Sequence, residues 1–219
     1  YVDLPNKFQT PSLSHLFGTD WVGRDMLTRT IKGLSLSMKI GLLATLTSTI
    51  IAIILGIIGP TFGRRVDAVV TWFIDLVLSV PHTLVVILIS IAMGGGLKGI
   101  VVGVAATHWT SLTRVIRAEV MQIMESDYTK ISKNFGKSNW YIAKEHILPH
   151  VIPQIIVNAV LIFPHAILHE ASVTFLGFGL PPHEPAIGVI LSESMKYLTS
   201  GYWWLAFFPG LSLILVSMM

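Results

Sequence analysis

The chain has 219 residues, of which 53% are hydrophobic and 12% charged, and its mean hydropathy is +0.71. Soluble domains carry about 25% charged residues, so a soluble globular class is excluded and a polytopic helical membrane protein is indicated. A net charge of +3 is too small to argue for nucleic acid, and the absence of cysteine excludes disulfides and thiolate metal sites.

Residues 1–33 are polar, carry Pro5 and Pro11, and mix Gly18, Asp20, Gly23, Arg24 and Asp25. They read as a capped loop entering an amphipathic helix, an extracytoplasmic segment before a transmembrane domain at 34–219. Leu34–Phe62 contains an uncharged run from Ile40 to Gly63, long enough to cross about 30 Å of hydrocarbon. Arg64 and Arg65 follow. Val69–Met93 is a second span, with Asp75 inside it and Pro81-His82 at its middle. After the glycines at 94–96, Lys98–Ile116 is a third span and holds His108. Val151–Ser172 is a fourth, with His165 and His169. Residues 173–200 form a loop or re-entrant stretch rich in Gly and Pro. Tyr202–Met219 opens a fifth span behind the interfacial anchors Trp203 and Trp204. Strand-type alternation is absent, so an all-α fold is expected.

Glu125–His150 lies inside a cytoplasmic segment at about 120–150 and is polar and basic between apolar neighbours. Two short amphipathic helices fit it. The first begins at Ser126 or Asp127, both good N-caps, and places Tyr128, Ile131 and Phe135 on one face. Gly136 suits the position just past its end. The second begins near Asn139 and is expected to stop at Pro149, which cannot donate a helical hydrogen bond. Such a segment is too polar to insert and too apolar to float free, as a docking element would be. Gly136-Lys137-Ser138 ends like a phosphate-binding loop, but Ile131 stands where that loop needs its first glycine, so nucleotide binding by this chain is rejected. Arg64, Arg65, Arg114, Arg117, Lys130, Lys133, Lys137 and Lys144 fall on one side if the spans alternate. The positive-inside rule puts that side, with the docking segment, in the cytoplasm.

Several separate words carry a family resemblance. Gly136, His146-Ile147 and Leu148-Pro149 resemble the cytoplasmic coupling ("EAA") loop of ABC importer permeases, although Lys130, Ile131 and Ser132 stand where that family carries Glu-Ala-Ala. Leu16–Asp20 and Gly23-Arg24-Asp25 resemble the segment before the second span in C-type permeases of the dipeptide/oligopeptide/nickel branch. Glu170–Gly179 and Tyr202–Gly210 resemble later stretches of the same permeases. The resemblance implies a MetI-like core of about five to six transmembrane helices, with one missing at the N-terminus. It implies a prokaryotic inner-membrane subunit without enzymatic activity or a cofactor of its own, ATP and Mg being bound by a separate ATPase. Implied partners are a second permease in a heterodimer, two ATPase subunits, an extracytoplasmic solute-binding protein and membrane lipid, with no nucleic acid. Tyr128, Ile131, Phe135, Gly136, Leu148 and Pro149 would form the ATPase-coupling surface.

Ionisable groups at membrane depth cost several kcal/mol unless they face a bundle or a wet cavity. His82, His108, His165, His169 and Glu170 are therefore candidates for a substrate pathway. His165 and His169 share a helix face by spacing, and neutral imidazole suits nickel and related transition metals. The words around His108, His165 and His169 resemble nickel importers in particular. A transient metal contact at His108, His165 and His169 is expected on that basis, and nickel or a related metal, free or chelated, is the first substrate reading. A di- or oligopeptide is the alternative, and an intramembrane metalloenzyme the remaining one. The bland reading of each histidine is packing glue that donates to a neighbouring carbonyl.

Overall fold

A computed structural model describes residues 3–218; the ends of the two expected ranges, Tyr1, Val2 and Met219, lie outside the described residues. All regular elements among the described residues are helical: α1 (Met26–Phe62), α2 (Arg64–Leu78), α3 (His82–Ala92), α4 (Gly96–Glu125), α5 (Asp127–Asn134), α6 (Asn139–Ile142), α7 (Leu148–Phe175), α8 (Ile187–Leu198) and α9 (Trp204–Met218). A π-type turn, Ala143–Ile147, joins α6 to α7.

Several boundaries differ from the sequence expectation. The expected helix leading into the Leu34–Phe62 span begins at Met26 and is continuous with it, because Asp25 caps it: its carboxylate accepts from the Thr28 backbone N–H and hydroxyl, both at 2.8 Å. The expected span Val69–Met93 is broken into α2 and α3 at Ser79–Pro81, where Val80 precedes a proline and is disfavoured in helical backbone. The re-entrant stretch at 173–200 contains α8. The second helix of the polar segment does not stop at Pro149. Instead the Leu148 N–H bonds to the Ala143 carbonyl, five residues back, and Asn139–Phe175 runs on as one helical rod. The wider turn displaces the i−4 carbonyl that the proline ring would strike, so Pro149 is accommodated in the first turn of α7.

By length and composition, Met26–Phe62 and Asn139–Phe175 can each cross a membrane, and α2 with α3, bent by 92° at their break, is apolar enough for a broken span or a re-entrant loop. The third expected span, inside α4, falls short because its middle is Thr107, His108, Trp109, Thr110 and Ser111, not because the helix is short. Four to five spans were expected by counting apolar runs alone.

The chain divides into two compact units. One is built from the described parts of Tyr1–Leu43, Val86–Val104 and Pro164–Met219. Here the segment before α1 is stapled to α8 and α9 by aromatic contacts. Phe8 stacks on Tyr202 at 4.1 Å between centroids, Phe17 on Phe208 at 4.6 Å, and Trp21 on Tyr197 at 5.2 Å. The other unit comprises Ala44–Val85 and Ala105–Phe163. Its core gathers Ile57, Ile74, Leu112, Ile116, Ile142 and Ile147. Lipid is as apolar as these side chains, so close packing rather than water exclusion holds such an interface. Gly56 supplies the closeness, since a Cβ there would come within 2.8 Å of Ile116.

Candidate functional site

The polar segment is a folded platform. Ser138 caps α6, its side chain accepting from the Tyr141 N–H at 3.2 Å. Gly136 holds φ at +73° with open space beyond its Cα, a conformation that favours glycine for backbone reasons alone. It closes α5 by donating to the Lys133 carbonyl at 2.9 Å. His146 is the hinge pin between the two short helices. Its Nε2 lies 3.0 Å from Ser132 Oγ, and its ring meets Tyr128 and Tyr141 edge to face. Thr129, Ile142 and Ile147 are buried beneath.

The apolar face of α5 points away from that core. Tyr128 is 46% exposed, Ile131 53%, Phe135 81%, and the neighbouring Trp140 68%. An amphipathic helix ordinarily turns its apolar stripe inward; this one displays it among exposed Lys130 and Lys137. Pro149 is exposed and Leu148 half-buried at the start of α7. The sequence placed Tyr128, Ile131, Phe135 and Gly136 correctly on one short helix and its cap, but His146 as the organiser was legible only as part of a family word.

The histidines fall into two groups. In the second unit, His82 opens α3 and His108 sits in the middle of α4. Their rings meet edge to face at 4.6 Å, and Thr107 Oγ1 lies 3.1 Å from His82 Nε2 and 3.4 Å from His108 Nδ1. In the first unit, His165 and His169 stand one turn apart on α7, His165 exposed and His169 half-buried. The expected set His108, His165 and His169 thus draws on both units, and the contact seen within one unit is His82 with His108. Glu170 is fully buried, its Oε1 accepting from Thr174 Oγ1 at 2.9 Å.

Two ionic features escaped sequence reasoning. Arg117 grips Asp67 through Nε at 2.5 Å and Nη2 at 2.6 Å, tying α4 to α2. In the first unit, fully buried Asp20 accepts from Arg24 Nε at 2.7 Å, Arg29 Nη1 at 2.8 Å and the backbone N–H groups of Val22 and Arg24. Arg29 continues to Glu193 Oε2 at 2.8 Å. Beside this network a cavity of about 550 Å³ is lined by charged groups including His15, Asp25, Lys32 and Glu184. Burial pushes the Asp25 carboxyl up, but hydrogen bonds from His15 and Thr28 outweigh it and hold the group below its ordinary range. These partners lie far apart in sequence or on an irregular loop, so no periodicity could pair them.

A profile of the family described as "binding-protein-dependent transport system inner membrane component" matches residues 48–219. The dipeptide transport system permease protein DppC of Bacillus subtilis (strain 168) is 36% identical over 91% of this chain, which spans 62% of that relative's length. The oligopeptide transport system permease protein OppC of the same organism is 33% identical over 95% of this chain and 68% of the relative. The probable D,D-dipeptide transport system permease protein DdpC of Escherichia coli (strain K12) is 30% identical over 99% of this chain and 72% of the relative. Among solved structures, the inward-facing MetNI methionine ABC transporter aligns with a TM-score of 0.72 at 14% identity, covering 88% of this chain and 91% of that one. At that identity the likeness speaks for the fold alone.

Proposed function

This chain belongs to the family of binding-protein-dependent transport system inner membrane components, and we propose that it is the permease subunit of an ATP-driven importer of di- or oligopeptides. The observation that carries the reading is the outward apolar face of α5, with Phe135 at its tip. A soluble face of that kind, next to helices that can span a membrane, is a protein-docking surface. Its proposed occupant is an ATPase subunit, which binds ATP and Mg and passes its closure to the permease through Tyr128, Ile131, Phe135, Gly136, Leu148 and Pro149. A second permease and an extracytoplasmic solute-binding protein complete the proposed assembly.

Peptide replaces nickel as the first substrate reading because the relatives are named for dipeptides and oligopeptides. One observation keeps the metal reading as the second: the adjacent imidazoles of His82 and His108, with ring centroids 4.6 Å apart, a ligand type suited to nickel or cobalt. His165, His169 and Glu170 remain proposed pathway residues in the same α7 helix. Reconstitution separates the two substrates. The assembled transporter is expected to raise its ATP hydrolysis with peptide-loaded solute-binding protein, and His82→Gln and His108→Gln are expected to keep that response. Stimulation by the nickel-loaded protein alone, lost in both variants, would transfer the assignment to the metal.

The orientation follows from the basic residues around α5 and α6. A cysteine placed at Lys133 should react with membrane-impermeant reagent only from the cytoplasmic side, and one at His183 only from outside. The opposite labelling pattern would discard the docking assignment with the topology.

A further inference from the structure

The second unit holds an apolar slot beside the proposed coupling surface, with which it shares Leu148. Its lining combines Ile53, Ile54, Ile57 and Ile58, a single stripe along α1, with Trp140 and Lys144. Ala143 and Leu148 complete the lining, and the cavity measures about 480 Å³, within the range of about 300–1,000 Å³ common for small-molecule sites. Ala143 and Lys144 belong to the π-type turn, and Leu148 closes it. Turns of this kind recur at functional positions inside helices.

The chemistry of the slot narrows its occupant. Its wall is hydrocarbon, with no acceptor or donor for an extended backbone, so an irregular segment seated there would leave polar groups unpaired. A plain hydrocarbon would make no use of the lysine. Ile58 lies one turn before the end of α1 at Phe62, about 6 Å along the helix, and Arg64 and Arg65 follow at the start of α2, so the slot lies just inside that basic boundary. Indole rings favour the boundary between chains and headgroups, where Trp140 stands exposed, and an exposed lysine there attracts anionic headgroups.

We propose that this slot binds one acyl chain of an anionic phospholipid, with the Lys144 ammonium on the lipid phosphate and Trp140 at the interface. The assignment rests on the chain spanning a membrane and not on what it transports, so its test reads lipid. The assembled transporter, purified in detergent, is incubated with phosphatidylglycerol or phosphatidylcholine and read by native mass spectrometry. Wild type should retain phosphatidylglycerol preferentially. Lys144→Gln should lower that retention about fivefold and leave phosphatidylcholine unchanged. Ile54→Trp, at an exposed position that tolerates a larger ring, should fill the slot and lower retention of both lipids. Displacement by excess inorganic phosphate would mean a bare phosphate site and overturn the acyl-chain assignment, as would equal retention by all three proteins. If a variant fails to assemble, photoactivatable phosphatidylglycerol on the wild-type complex decides: adducts at Ile54 to Ile58 support the site, and adducts confined to other helices overturn it.

Discussion

Phe135→Asp is expected to abolish transport-linked ATP hydrolysis while leaving the permease inserted at normal yield. Phe135 is 81% exposed, so the permease itself does not need the ring. A docking groove does: truncating a central aromatic anchor costs about 2–4 kcal/mol of binding, about 30-fold or more in affinity, and a carboxylate adds the penalty of burying an unpaired charge. Gly136→Pro should act on the same step by another route. Proline fixes φ near −65° where this residue holds +73°, and it deletes the N–H that bonds to Lys133 O. The helix end would rearrange and the apolar face would lose its aim. The measurement is ATP hydrolysis by the reconstituted transporter with and without substrate-loaded binding protein. Normal stimulation in both variants would remove this segment from the coupling path.

Asp20→Ala should be the most destabilising change in the segment before α1. The carboxylate is fully buried and holds two guanidinium groups and two backbone N–H groups. Arg29 is only 11% exposed, so removing Asp20 strands a nearly buried cation that keeps only Glu193. Breaking a buried pair by removing one partner costs about 3–5 kcal/mol. For a chain of this size that corresponds to a drop of roughly 10 °C in unfolding temperature. The Arg24 and Arg29 guanidiniums each lie 5.2 Å from the Trp21 ring centroid, so the loss should also shift tryptophan emission. Asp20→Asn keeps an acceptor for Val22 and Arg24 and should fall between wild type and Ala. An unchanged melting temperature in Asp20→Ala would show that the network contributes nothing net.

The helical class, the two long apolar spans and the docking segment were open to sequence reasoning, because each is a local pattern. A long uncharged run such as Ile40–Gly63, or Tyr128, Ile131 and Phe135 at helical spacing, means the same thing wherever the chain later folds. The boundaries were less legible. Pro149 was read as a stop because its missing N–H is a local fact, whereas the wider turn at Ala143–Ile147 that accommodates it draws on packing around Ile142 and Ile147. A capped loop entering an amphipathic helix was legible in residues 1–33, but the residue at which the helix begins was not singled out: Asp25, with Thr28 three residues on, sets it at Met26.

By itself the sequence determined that this is an all-helical chain with apolar spans and a basic two-helix segment between them, since hydropathy and periodicity are properties of neighbours along the chain. Tertiary structure alone decided which distant groups meet. It paired Asp67 with Arg117 across 50 positions and Arg29 with Glu193 across 164, brought His82 against His108, and turned the apolar face of α5 outward. Those outcomes depend on which surfaces approach when helices pack. That choice is set by shape and by the cost of leaving a buried charge unpaired, and neither is written in the spacing of residues along one helix.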